Sequence, residues 1–174
     1  MRVRNIIFTR KCGGRSGEWG LRSARLNSRT VHRYWRRLCA VLAPFIPDVR
    51  TLHTVLSVLE AAVDFFSRYE NVDRILELAM ITVSEEFSGR GVGRRLVQES
   101  ETRGKKLGCQ LATAQATAVP SQRLLYRLGY EDLYTMDYGT FEIAGDRVFD
   151  MDRMLGTPSA KVMARLLDEE NQEQ

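Results

Sequence analysis

The sequence predicts an α/β (α+β) fold, helices packed on a sheet, and three stretches carry that expectation. "TLHTVLSVLEAAVDFFSRY" sets Leu52, Val55, Leu56, Leu59, Val63 and Phe66 at three- and four-residue steps, the apolar stripe of one helix. "RILELAMITV" is an apolar run with β-branched residues, bounded by Asp73 and by Ser84-Glu85-Glu86; it reads as a strand buried on both faces. "EEFSGRGVGRRLV" then carries the chain through Gly89, Gly91 and Gly93 straight into a helix.

The other elements follow in order. Residues 3–27 read as two extended runs around a turn at Gly13 and Gly14, and "TVHRYWRRLCAVL" as a helix stopped by Pro44 and Pro47. Thr51 or Asp48 can cap the 51–69 helix. After the glycines, "VGRRLVQESETRGKKLG" is helical, with Val92, Leu96 and Leu107 on one face and Gly108 as its stop. "CQLATAQAT" is a strand and "SQRLLYRLG" a short helix opened by Pro120-Ser121, with Leu124, Leu125 and Leu128 inward and Gly129 at its end. "YEDLYTMDY" is a strand with Tyr130, Tyr134, Met136 and Tyr138 on one face, and "DRVFDM" its hairpin partner across Ala144-Gly145-Asp146. "TPSAKVMARLLDEE" is a final helix with Thr157 as N-cap and Pro158 in its first turn, and the tail from 167 frays.

At 174 residues, a single domain over 1–174 is expected. Cys12, Cys39 and Cys109 are far apart and His32 and His53 are the only histidines, so no metal site is expected and a reduced, cytoplasmic compartment fits. No apolar run reaches membrane-spanning length. Residues 1–50 carry 12 Lys/Arg against 2 Asp/Glu, a balance of +10, while the remainder carries −6. The basic part reads as a solvated face; a mitochondrial transit peptide and a nucleic-acid surface are the other readings.

A strand that enters a helix through glycines gathers backbone N–H groups at the positive end of the helix. Its natural guest is a phosphate or pyrophosphate, with Arg90, Arg94 and Arg95 adding charge; a plain connection that binds nothing is the alternative. Gly93-Arg94-Arg95 lacks the Lys-Ser/Thr of a P-loop, and Gly89-x-Gly91-x-Gly93 fails the dinucleotide spacing.

"LAMITVSEEFSGRGVGRRLVQES" resembles the acetyl-CoA-binding core of the GNAT acetyltransferases, whose loop runs Gln/Arg-x-x-Gly-x-Gly/Ala. Gly91 and Gly93 match the small positions, and Ser88 stands where Gln or Arg is usual. With "SQRLLYRLGYEDLY" and "TPSAKVMARLL", the likeness extends to the insect-type arylalkylamine N-acetyltransferases, from about residue 18 to 167 and most closely from Val72 to Asp137. The resemblance implies a mixed, mostly antiparallel sheet flanked by helices, short of the family's first strand and first helix and hence of its general-base glutamate. It implies acetyl-CoA as co-substrate, held by Ile81, Thr82 and Val83 along the pantetheine and by Ser88, Gly89, Arg90, Gly91, Val92, Gly93 and Arg94 at the pyrophosphate. The amine would attack the thioester directly. Ser121 and Thr117 match the family's two hydroxyl positions for thiol protonation, Ser121 also lying against the cofactor. Helix capping is the other reading of Ser121. Tyr126 is one step from the wider family's tyrosine position, which here is Leu125.

The expected activity is therefore acetyl transfer to the primary amine of a small arylalkylamine, by a monomer or weak homodimer with no membrane or nucleic-acid partner. A silent acetyl-CoA-binding protein is the alternative, and a basic nucleic-acid-binding domain a remote one.

Overall fold

The computed structural model describes residues 6–12, 49–83 and 85–167. The expected turn at Gly13-Gly14, the helix at 31–42 with its prolines, Asp48 and the tail beyond 167 lie outside the described residues. In chain order the elements are β1 (Ile6–Cys12), α1 (Val49–Ala61), α2 (Phe65–Arg68), β2 (Ile75–Thr82), α3 (Val92–Lys106), β3 (Leu111–Ala116), α4 (Val119–Arg127), β4 (Glu131–Asp137), β5 (Glu142–Ile143), β6 (Asp146–Arg147) and β7 (Ser159–Leu166). Five strands form one sheet in the order β1-β2-β3-β7-β4. Among the described strands only β2 and β3 run parallel; β1 against β2, β3 against β7 and β7 against β4 are antiparallel. None of the described helices is long and apolar enough to cross a membrane.

Each face of the sheet is covered. On one, Val97 of α3 and Leu125 of α4 pack over Leu76, Leu78, Ala112, Ala114 and Met163. On the other, Val55 and Leu59 of α1 pack over Met136, Tyr138, Ala160 and Val162. Full burial of a side chain such as Leu59 contributes roughly 2 kcal/mol.

The helix expected over 51–69 is two helices. Asp64 takes extended backbone and its Oδ1 accepts from Phe66 N at 3.1 Å and Ser67 N at 3.2 Å, so it starts α2 rather than continuing α1. The Ser67 hydroxyl, which donates to its Oδ2, and then these backbone bonds lower the pKa of its carboxyl.

The final helix expected over 157–170 is instead β7. Its residues Ala160, Val162 and Ala164 face α1 and its neighbours, while Met163 faces α3 and α4. A strand paired on both edges and buried on both faces loses simple alternation, and pairing with β3 and β4 outweighs a helix-favouring composition. β4 thus has β7 as its partner, not residues 146–151; the Ala144-Gly145 turn, at φ 55° and 89°, joins only β5 to β6. A register shift between Asp132 and Tyr134 moves Tyr130 to the α3 side, away from Tyr134, Met136 and Tyr138.

α3 ends at Gly108 as expected, with φ 74°. Its buried side differs: Val97, Ser100, Glu101 and Gly104 face inward, while Leu107 is 43% exposed. α4 starts two residues before Ser121, with Ala118 as its N-cap.

Candidate active site

β2 and β3 pair only from Ile75↔Leu111 to Leu78↔Ala114. Beyond that point, among the described residues, β2 is held by β1 alone, through Met80↔Phe8, Ile81↔Ile7 and Thr82↔Ile6. Among them β3 is held there by β7 alone, through Gln115↔Val162 and Ala116↔Lys161. The parting coincides with a bulge: β1 steps from Phe8 to Thr9 while β2 steps from Met80 to Leu78, so Ala79 is the extra residue, and it is exposed in mid-strand. The result is a wedge-shaped gap in the sheet, bordered by strand backbone on both sides.

β2 leads into the glycine turn. A 3-10 turn over Glu85–Phe87 closes with Ser88 N donating to Glu85 O at 3.0 Å. Gly89 and Gly91 follow with φ of 72° and 75°, a conformation that side chains disfavour. A Cβ on either would meet no atom of the described residues within 4 Å, so among these both border open space. Gly91 is the N-cap of α3 and provides no side-chain cap, which leaves the first N–H groups of a 15-residue helix pointing outward. Gly93 differs: a Cβ there would lie 3.2 Å from Leu124 Cδ2 and 3.8 Å from Val83 Cγ2. It lets α3 close against α4, tying the two walls of the gap together. Arg90 and Arg94 are exposed, and the Arg90 guanidinium lies 5.6 Å from the Phe87 ring centroid, which holds it along the turn.

The opposite wall is the β3–α4 turn. Thr117 and Ser121 are half-buried. Ser121 is the third residue of α4, not its cap, and its hydroxyl donates to Ala118 O at 2.7 Å. The carbonyl of Thr117 accepts from the Tyr138 hydroxyl at 2.9 Å. Ala118 cannot cap α4 with its side chain, and Thr157 does so from outside: its Oγ1 accepts from Val119 N at 3.4 Å. Thr157, expected to cap a helix of its own, serves α4 instead. Buried Gln122 donates from Nε2 to Ala116 O at 3.1 Å and to Ser159 O at 2.7 Å.

Ile81, Thr82 and Val83 thus lie along one wall, residues 88–94 at its end, and Thr117 and Ser121 on the other. Tyr126 is elsewhere: its hydroxyl donates to Asp132 and accepts from Lys161 at 2.8 Å, on the β4–β7 side of the sheet. Lys161 also donates to Asp132, and that bond first, then the one to Tyr126, raises the Lys161 pKa. Sequence reasoning missed Gln122, Tyr138 and Thr157 as supports. The signal was present for Gln122, an amide three residues before Leu125 on the buried stripe of α4.

The acetyltransferase (GNAT) family model matches residues 52–130. No curated protein matches the chain. Among solved structures, arylalkylamine N-acetyltransferase 2 from Aedes aegypti is 18% identical, covers 94% of this chain and 68% of its own, and gives a TM-score of 0.69. A Drosophila melanogaster polyamine N-acetyltransferase, an enzyme that forms N-acetylagmatine, is 32% identical over 65% of this chain and 53% of its own, with a TM-score of 0.58. A serine-to-alanine mutant of agmatine N-acetyltransferase in its apo form is 31% identical over the same shares, with a TM-score of 0.59. The chain spans about half the length of these last two. Sheet order, parted strands, glycine turn and these likenesses together identify the fold as that of the GNAT acetyltransferases, a mixed and mostly antiparallel sheet flanked by helices.

Proposed function

We propose that the chain is an N-acetyltransferase that moves the acetyl group of acetyl-CoA to the primary amine of a small arylalkylamine. The observation that carries this is the gap between β2 and β3 running into the Gly89–Gly91 turn and the open start of α3. Its shape and polarity fit the co-substrate. Backbone of Ile81–Val83 offers strand-like partners to an extended pantetheine amide chain. The turn and α3 offer converging N–H groups to a pyrophosphate, with Arg90 and Arg94 at hand.

Acetyl-CoA supplies an acyl group already activated as a thioester. The chain's residues align the amine with that carbonyl carbon and polarise its oxygen through a backbone N–H near Thr82 or Val83. As the C–N bond forms and the C–S bond breaks, the nitrogen loses a proton and the sulfur gains one. Ser121 is the donor to the sulfur, with Thr117 the second hydroxyl on that wall. In the resting arrangement Ser121 gives its proton to Ala118 O, so donation to a thiolate requires release of that carbonyl.

Calorimetric titration with acetyl-CoA, compared with desulfo-CoA, tests the binding half. Thiol release with tyramine, dopamine, serotonin, agmatine and spermidine tests the transfer half. Micromolar binding with turnover on the aromatic amines upholds the proposal. Turnover confined to agmatine or spermidine moves the acceptor to the cationic amines named for two of the similar structures. Binding without turnover leaves an acetyl-CoA-binding protein, and absence of binding overturns the reading.

A further inference from the structure

The four residues from Ala116 to Val119 link β3 to α4, and side chains from outside hold three of them: Gln122 on Ala116 O, Tyr138 on Thr117 O and Thr157 on Val119 N. The fourth, Ala118, accepts from Ser121 itself. Tyr138 is the most firmly seated of these supports. Its backbone N donates to Pro158 O at 2.9 Å, its ring centroid lies 4.3 Å from that of Phe149, and the residue is 3% exposed. Its hydroxyl reaches from the end of β4, past β7, to the carbonyl of Thr117, which lies between β3 and α4. A buried hydroxyl committed to one carbonyl fixes that peptide plane, and through it the side chains on either side.

We propose that Tyr138 is a positioning residue for acetyl transfer: its hydroxyl fixes the Thr117 peptide, and Thr157 fixes the first turn of α4, so that the Thr117 and Ser121 hydroxyls stand at the mouth of the gap. The inference rests on the reading of those two hydroxyls as the proton source for the thiolate. It adds that their placement is set by Tyr138, at the end of β4, and by Thr157, in the segment leading into β7.

The test uses the full chain with Tyr138→Phe, which keeps the ring on Phe149 and removes only the hydroxyl. Thr157→Val removes the oxygen that faces Val119, and Thr157→Ser restores it. Tyr138→Phe and Thr157→Val should each lower kcat by about tenfold while KM for acetyl-CoA stays within about twofold. Thr157→Ser should retain the parent's kcat. Amide hydrogen exchange over residues 117–122 should speed by about tenfold in the two impaired variants, with the amides of β7 unchanged. Unchanged kcat and exchange in Tyr138→Phe overturn the proposal. So does a parallel rise of exchange in β7 and the turn, which is general loosening rather than loss of placement. A parent without turnover, or a Ser121→Ala variant as fast as the parent, defeats the functional reading by itself. The exchange pattern then upholds or overturns the placement.

Discussion

At Gly91 an added side chain meets no atom of the described residues and still costs energy. The cost lies in φ, 75°, where a Cβ is disfavoured by about 1–2 kcal/mol. Gly91→Val therefore leaves a folded but less stable chain, and it fills the space that the turn offers to a phosphate. We expect acetyl-CoA affinity to fall at least about tenfold by calorimetry; an unchanged Kd would remove the pyrophosphate from this turn. Glu101 makes the opposite point. It is buried on α3, accepts from the Tyr130 hydroxyl at 2.8 Å and pairs with Arg165 at 3.4 Å. Burial raises the Tyr130 hydroxyl pKa above the ordinary 10.0, and the charge of Glu101 raises it further; burial alone does the same to Tyr138. A raised folded-state pKa contributes stability that is fully present below pH 10 and is lost as pH climbs beyond it, because the unfolded tyrosine ionises first. The urea midpoint of the parent should fall steeply above about pH 10. Lys161, also raised, titrates in the same direction, so the comparison that isolates Tyr130 is the Tyr130→Phe variant. That variant should be less stable at neutral pH by about 1–3 kcal/mol, with a shallower fall above pH 10. An identical fall in both chains would release Tyr130 from the account. Gly89 and Gly91 were legible in the sequence because glycine at such a turn has few other uses. Glu101 was not, because a charge reads as solvent-facing until its partner from a distant strand is known.

Among elements, α3 shows how a polar stripe can be the buried one. Gly104 sits where a Cβ would come within 2.8 Å of Leu76 Cδ2, and Leu76 is itself in the core with β2 at its back. That contact seats the helix whose first turn forms the candidate phosphate site. Gly104→Val should destabilise the chain by about 2 kcal/mol through overpacking, despite replacing a poor helix former. Thermal unfolding measures it, and a neutral result would mean that α3 has slack against the sheet. The elements β2, α3, β3 and α4 were readable nearly to their ends, each closed by a local signal such as Gly108 or Gly129. β7 was not. Thr157-Pro158 before an Ala-, Lys- and Met-containing run is a helix start by every local rule, and only two strand partners far away in sequence make it otherwise. The division of α1 from α2 was missed because Asp64 falls on a stripe that continues in phase past it.

For the molecule as a whole, acetyl-CoA held in the gap between β2 and β3, as proposed, would couple its binding to stability. A ligand that pairs with the second half of β2 binds only the folded sheet, so acetyl-CoA at about 100 times its Kd should add about 2.7 kcal/mol to the free energy of unfolding. Unfolding midpoints taken with and without it check this, and desulfo-CoA should act likewise. A midpoint that ignores both ligands would contradict the site. Fold class was legible from periodicity, whereas strand order was not: nothing local distinguishes the parallel pair β2–β3 from the antiparallel pairs beside it.

That order has a consequence for how the chain is made. β7 joins β3 to β4, yet it is last of the described strands to leave the ribosome. While synthesis proceeds, the two portions it will join must wait with open edges and exposed alanine and methionine faces. A nascent chain halted before Ser159 therefore holds a sheet with its middle missing rather than one trimmed at the rim. On the proposed placement, the Thr117 and Ser121 hydroxyls would gain their settled places only once Thr157, just ahead of that strand, has been made.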